Sequence, residues 1–229
     1  MHVRLLSFSQ LNPFLLTAVD QNPVALESIR DLVAFCARVS NPSNQMNMET
    51  SDKLLKYLIK HKHWSPFELV SLCLEITTTR DIARQILRHR SFSFQEFSQR
   101  YANPLEDLKF VTREARLQDI KNRQNSIKVD DENLQREWLL MQEDVIRVVR
   151  SAYEWALSRG IAKEQARAIL PEGLTESRLY MNGTLRSWIH YCELRSANGT
   201  QLEHMEIAKA CAEAISMVFP KIKDFTNEH

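Results

Sequence analysis

The sequence predicts a mixed α and β domain, and three observations carry that prediction. Residues 70–78 alternate, with Val70, Leu72, Leu74 and Ile76 set between Ser71, Cys73, Glu75 and Thr77, which is the period of a half-buried strand. Farther along, Leu134, Trp138, Met141, Val145, Val149, Ala152 and Ala156 recur at helical spacing. The 229 residues, 44% hydrophobic and 26% charged, are enough for one domain with a real core, so residues 1–229 are read as a single unit.

In chain order, residues 3–9 alternate weakly and are read as a strand. Pro23 then opens a helical pattern that carries Ile29, Val33 and Cys36. Residues 41–50 are rich in Asn, Ser and Pro without periodicity, hence a loop. Ser51 is placed to cap a helix whose apolar stripe is Leu54, Leu55, Leu58 and Ile59, and Ser65-Pro66 ends the segment after His61-Lys62-His63. A helix over residues 79–89 follows the strand at 70–78, and 103–133 reads as polar surface loop with one short element. The long helix stops near Gly160, and a short helix over 165–170 stops at Pro171. Leu185, Ile189 and Cys192 give one face of a further helix, with Arg186, His190 and Glu193 on another. A last helix over 203–219 buries Ile207, Ala210, Cys211, Ala214, Ile215 and Val218 before Pro220.

Composition narrows the function. A net charge of +1 argues against the broad positive field of a nonspecific nucleic-acid binder, so any basic site is local and its ligand small. No apolar run reaches the roughly 18 residues needed to span a bilayer, and no secretory leader pattern is present, which points to a soluble cytoplasmic protein without membrane partners. Cys36, Cys73, Cys192 and Cys211 lack Cys-x-x-Cys spacing and are read as buried free thiols. With four glycines and no glycine-rich phosphate loop, any nucleotide must be held by side chains.

The densest chemistry lies in residues 84–101. If 79–89 is helical, Arg80, Arg84 and Arg88 fall on one face, where like charges repel and a bound anion would relieve the repulsion. Gln85 shares that flank, while Ile82, Ala83, Ile86 and Leu87 face inward. Arg88-His89-Arg90 by itself is equally well read as a solvated helix end. Within ten residues, however, come Gln95, Glu96, Ser98 and Arg100, interleaved with Phe92, Phe94 and Phe97, whose rings are best read as core. Guanidinium groups so placed suit bidentate contacts to phosphate or carboxylate. His61 and His63 lack a third ligand for zinc, and neither Ser65 nor Ser98 sits in a nucleophile elbow. Metal: none is assigned.

The combination of motifs resembles the flavin-dependent thymidylate synthases, whose signature is Arg-His-Arg, seven residues, then Ser and a following Arg. Arg88, His89, Arg90, Ser98 and Arg100 match it. The stretch from His61 to Glu68, read His-Lys-His-Trp-Ser-Pro-Phe-Glu, is similar to the family's upstream segment, as are Ala37-Arg38-Val39-Ser40, Ala166-Arg167 through Pro171, Leu185-Arg186-Ser187, Glu193-Leu194-Arg195 and Gln201.

This resemblance implies an α+β fold of helices on a central, mainly antiparallel sheet, in homotetramers whose active sites are shared between subunits. It implies reductive methylation of dUMP to dTMP with methylenetetrahydrofolate as carbon donor and FAD reduced by NADPH. Arg195 would activate the uracil. Gln85, Arg88, Glu96, Phe97, Ser98, Gln99, Arg100, Arg167 and Arg195 would bind dUMP. Ser65, Arg88, His89, Arg90, Glu96, Thr184, Arg186 and His190 would hold FAD, and His63 would stack on flavin or folate. Two stretches depart from the family pattern. At Met181-Asn182-Gly183-Thr184, a flavin contact falls to Asn182 or Thr184; at 199–205, a cationic flavin contact is either lost or taken by His204. A nucleic-acid module using the phenylalanines as stacking platforms, or a relative that only oxidises NADPH, are the competing readings.

Overall fold

The computed structural model describes residues 1–12 and 28–226. The expected helix start at Pro23 lies outside these residues; helix α1 is described from Ile29–Ala37, where Ser28 accepts from the Asp31 amide as N-cap. Strand β1 (His2–Phe8) precedes it and helix α2 (Ser51–Lys60) follows it. Ser51 is not the cap of α2: it is the first helical residue, fully buried, and its hydroxyl turns back to Met48 Sδ. A 3-10 turn over Ser65–Leu69 then leads into β2 (Ser71–Thr79), with Pro66 in the first turn where its missing N–H costs nothing.

Helix α3 covers only Arg80–Ile86, so Arg88 lies beyond it and the expected row of three guanidinium groups is cut to two. The chain turns at residues 87–91 into β3 (Phe92–Glu96), a strand that the crowding of polar motifs hid. The segment 103–133 holds α4 (Pro104–Asp107) and the hairpin β4 (Arg116–Gln118) with β5 (Ser126–Lys128). Then come α5 (Glu132–Ser158), capped by Asp131, α6 (Lys163–Ala166), β6 (Glu176–Thr184), α7 (Leu185–Ser196) and α8 (Leu202–Ser216).

Four strands form one antiparallel sheet in the order β1-β2-β6-β3. Alternation assigns its faces. Leu72, Leu74, Ile76, Leu179 and Met181 are buried in the core, while Cys73, Tyr180 and Asn182 point to the opposite, wetter side. Helices α7 and α8 cover the core face through Trp188, Ile189, Ile207, Ala208, Cys211 and Ile215. The four thiols are free, but only Cys192 and Cys211 are buried; Cys36 and Cys73 are half-buried, Cys73 because it sits on the wetter face. Gly183 is required by a close approach: a Cβ there would meet the Phe92 ring at 2.4 Å, and that ring lies edge-on against Trp188 at 4.8 Å.

Helix α5 is attached differently. Gln135 and Gln142 hydrogen-bond the backbone of Ala115 and Arg113, and Tyr153, Ala156, Ala166 and Leu170 make a small second core. The stripe predicted for it is real in period, but Trp138, Met141 and Val145 are exposed within this chain.

Candidate active site

The turn between α3 and β3 meets the polar side of α7 and the start of α8. Arg195 on α7 donates through Nε to His89 Nε2 at 2.9 Å. An accepting Nε2 leaves the imidazole proton on Nδ1, so His89 is neutral. Burial lowers its pKa to about 4, and the charges of Arg195 and His190 push in the same direction. The ring is fixed edge-on against Tyr191 at 4.9 Å. Both terminal nitrogens of Arg195 make no hydrogen bond or ion pair among the described residues, leaving them available to a ligand.

Gln85, on α3, donates to Gln201 Oε1 at 2.8 Å, and its own oxygen meets His204 Nδ1 at 3.1 Å. His204 is completely buried, with Nε2 3.2 Å from the Tyr191 hydroxyl. Burial, then the charges of Arg195 and His89, lower its pKa to about 3. A neutral, enclosed imidazole is not a cation open to a ligand, so of the two alternatives at 199–205 the structure does not favour His204. Its neighbour Glu203 explains the position: held by Arg116 at 2.5 Å, it pins the first turn of α8.

Glu96 closes the other side of the α3–β3 turn. Ser177 donates to it at 2.8 Å, and Arg80 and Arg84 lie 3.8 Å from its two oxygens. Arg84 also reaches Glu172 at 3.4 Å. The repulsion between these arginines is therefore relieved by the chain's own carboxylates, and Arg80 is buried rather than displayed. Arg167 is near enough to Arg80 to oppose its charge. Arg100 pairs with Glu164 at 3.5 Å, and Arg167 donates to the Glu164 carbonyl at 3.3 Å, so these two converge on one residue. Next to Arg100 in the chain, Gln99 is buried with an Nε2 that has no partner, an orphaned donor of the sort a ligand oxygen satisfies. The Ser98 hydroxyl accepts from the Arg100 amide at 3.4 Å, and no base adjoins it among the described residues. Phe97 is half-buried behind it.

A third group forms where the 3-10 turn meets α7. Glu68 accepts from Thr184 at 2.6 Å and from Arg186 at 3.0 Å, and Thr184 also caps α7 by accepting from the Ser187 amide. Arg186 and His190 line a small cavity of about 90 Å³ with Trp64, Ile189 and Glu193. Of the two candidates in the departing stretch, Thr184 belongs to this group, whereas Asn182 stands on the far face of the sheet, opposite Cys73 and Ser93. Ser65 and His63 are exposed nearby in sequence, but His63 faces Tyr57 and His61, each at 6.1 Å between ring centres. A cavity of about 530 Å³, lined by Arg38, Ser40, Asn41, Lys53 and Tyr57, opens beside that ring cluster. Arg88 and Arg90 are exposed and make no ion pair among the described residues.

Sequence reasoning assigned no role to Glu68, Tyr191 or Ser177. Glu68 carried a signal, since it lies in the quoted His-Lys-His-Trp-Ser-Pro-Phe-Glu stretch. Tyr191 and Ser177 carried none, being ordinary residues in an apolar helix and strand.

Fold and site together define a protein that gathers arginine, amide and neutral histidine side chains around the entrance of a helix pair, a donor-rich arrangement suited to an anion. The family model described as thymidylate synthase complementing protein matches residues 25–221. A probable flavin-dependent thymidylate synthase of Paramecium bursaria Chlorella virus 1 is 51% identical over 197 residues, 86% of this chain and 90% of that protein. The flavin-dependent thymidylate synthase of a Synechocystis species is 50% identical over 204 residues, 89% of this chain and 91% of its own length. The chain belongs to the flavin-dependent thymidylate synthase family. In fold it is similar to a UMP/dUMP methylase, PolB, from Streptomyces cacaoi, solved with 5-Br dUMP, at a TM-score of 0.76 and 24% identity over 97% of this chain and 93% of that one. The expected architecture of helices on an antiparallel sheet is the one observed.

Proposed function

We propose that this chain makes dTMP from dUMP, with methylenetetrahydrofolate as carbon donor and FAD reduced by NADPH, in a homotetramer whose active sites draw on several subunits. The observation that carries the reading is Arg195, a guanidinium oriented through its Nε by neutral His89 while its two terminal nitrogens stay open. Placed against a pyrimidine, those N–H groups stabilise the negative charge that develops as carbon 5 becomes nucleophilic, without any change in protonation. Neutral His89 matters here, because an imidazolium would repel Arg195 and surrender the acceptor that aims it.

The donor set fits the two anionic ligands. Arg100, Arg167 and the orphaned Gln99 amide suit the phosphate and base of dUMP, with Gln85, Arg88, Glu96, Phe97 and Ser98 beside them. Unpaired Arg88 and Arg90 suit a pyrophosphate, and Ser65, His89, Thr184, Arg186 and His190 would hold the rest of FAD, with His63 against flavin or folate. The flavin supplies the hydride when bound, so none of the four cysteines is needed as a nucleophile. Thr184 and Arg186 keep Glu68 fixed at the mouth of α7, and Ser177 with Arg80 and Arg84 holds Glu96 in place.

The tetramer is supported by α5. Trp138, Met141, Val145, Val148 and Trp155 follow the alternating three- and four-residue spacing of a helix–helix seam and are 44–59% exposed. A second copy of this chain is the occupant this self-complementary face fits. Among the described residues no helix is long and apolar enough to cross a membrane.

The test is release of tritium from carbon 5 of labelled dUMP, with FAD, NADPH and methylenetetrahydrofolate omitted in turn, in the wild type and in Arg195→Ala. Release that needs flavin and reductant, and that falls roughly 100-fold or more in the variant with flavin retained, is the expected result. Normal turnover in Arg195→Ala would end its assigned role, and release that needs neither flavin nor reductant would end the functional reading.

A further inference from the structure

The hydrogen bonds around Gln85 have a direction that can be worked out from one end. Glu203, ion-paired to Arg116 at 2.5 Å, can only accept. Gln201 therefore turns its NH2 group to Glu203, at 3.0 Å, and must offer its oxygen to Gln85. Gln85 in turn commits one N–H to Gln201 and directs its oxygen to His204. His204 then carries its proton on Nδ1, and its bare Nε2 accepts from the Tyr191 hydroxyl. Each member is either buried or half-buried, so reversing any one bond would set two oxygens or two N–H groups against each other away from water.

We infer that Gln201 and His204 are positioning residues that lock the Gln85 amide, so that the nucleotide meets a fixed N–H donor there. The proposal rests on the reading of Gln85 as part of the dUMP site and adds what holds it and which ligand atoms it selects. Such a donor takes an acceptor oxygen, either a uracil carbonyl or a phosphate oxygen, and refuses an exocyclic amine in the same place. Neither clamp residue touches the ligand. His204 is wholly buried, and Gln201 acts through Gln85. The neutrality of His204 supports the arrangement, because an imidazolium would place a second donor against Tyr191 and a charge beside Arg195.

The experiment measures KM for dUMP and kcat in full-length His204→Leu, His204→Asn, Gln201→Leu and Gln85→Ala, with flavin content and thermal melting as checks on folding. His204→Leu and Gln201→Leu should raise KM for dUMP about fivefold, the scale of one lost hydrogen bond, with kcat little changed. His204→Asn keeps a donor near the Nδ1 position and should recover most of that loss. In a Gln85→Ala background neither clamp substitution should have any further effect on KM. Competition by dCMP identifies the acceptor: a weakened preference for dUMP places the N–H on a base carbonyl, and an unchanged preference with weaker binding of both places it on phosphate, either result supporting the clamp.

Folded His204→Leu and Gln201→Leu proteins with wild-type KM would overturn the inference while leaving Gln85 in the site. So would a KM effect that persists undiminished without Gln85. If Gln85→Ala itself binds dUMP normally, the assignment of Gln85 fails first, and the clamp falls with it. Gln201→Leu, at a half-buried position, keeps the test open should the buried His204→Leu protein fail to fold.

Discussion

Helices α7 and α5 are both amphipathic in sequence, yet only α7 is finished by its own chain. Of its twelve residues α7 buries Leu185, Ser187, Trp188, Ile189, Tyr191, Cys192 and Ser196, and its remaining positions carry Arg186, His190 and Arg195 into the candidate site. Helix α5 is more than twice as long, at 27 residues, and buries only Gln142, Tyr153 and Ala156. The difference teaches that a hydrophobic period establishes that a helix has a face to bury, and says nothing of whose surface buries it. For α7 the cover is the sheet together with helix α8. For α5, in the proposed tetramer, it is another copy.

The sharpest way to separate the two is to cut a tryptophan from each. Trp188 is fully buried and donates to the Leu72 carbonyl at 3.1 Å, so Trp188→Ala should cost about 3–5 kcal/mol of subunit stability in denaturant unfolding. Trp138 is 44% exposed, and Trp138→Asp should change the stability of the isolated subunit by only about 0.5 kcal/mol. Its effect should appear in light scattering instead, as a smaller assembly with correspondingly lower turnover. Equal destabilisation by the two substitutions, with no change in mass for Trp138→Asp, would erase the distinction between the helices.

What could be read from the sequence follows the same division. Strand β2 and helix α7 were legible because burial on one face imposes a period, whereas Arg88, His89 and Arg195 were singled out only by the family resemblance, since by themselves they read equally well as surface charges. Strand β3 was not, since Phe92 and Phe94 alternate with polar residues that the motif reading claimed first. The shortness of α3 was hidden because nothing in Leu87-Arg88-His89 forbids a helix; the turn is imposed by pairing of β3 with β6. His204 was placed among cationic candidates because sequence gives a residue type but not its burial. Asn182 and Thr184, two residues apart, separate onto a sheet face and a helix cap only once β6 is known to end at Thr184.

The smallest effect expected concerns acid, and it sharpens the comparison because α5 contains no histidine. His89 and His204 have folded pKa values lowered to about 4 and about 3, against about 6.5 for a free imidazole. The unfolded chain therefore binds more protons than the folded one as pH falls below about 6.5. The stability these groups allow is fully present above that value and is lost progressively on acidification towards pH 4. Between pH 7 and pH 6 the loss should stay under about 1 kcal/mol for each histidine. It should register as a lower melting temperature with dUMP affinity unchanged, because in the folded protein both histidines stay neutral until the pH nears 4, where protonation of His89 removes the acceptor that aims Arg195. The mass of the assembly should not change over that interval. If acid between pH 7 and pH 6 instead dissociated the assembly, the titrating groups would lie at the subunit interface, and the pH sensitivity would belong to that interface rather than to the site built on α7.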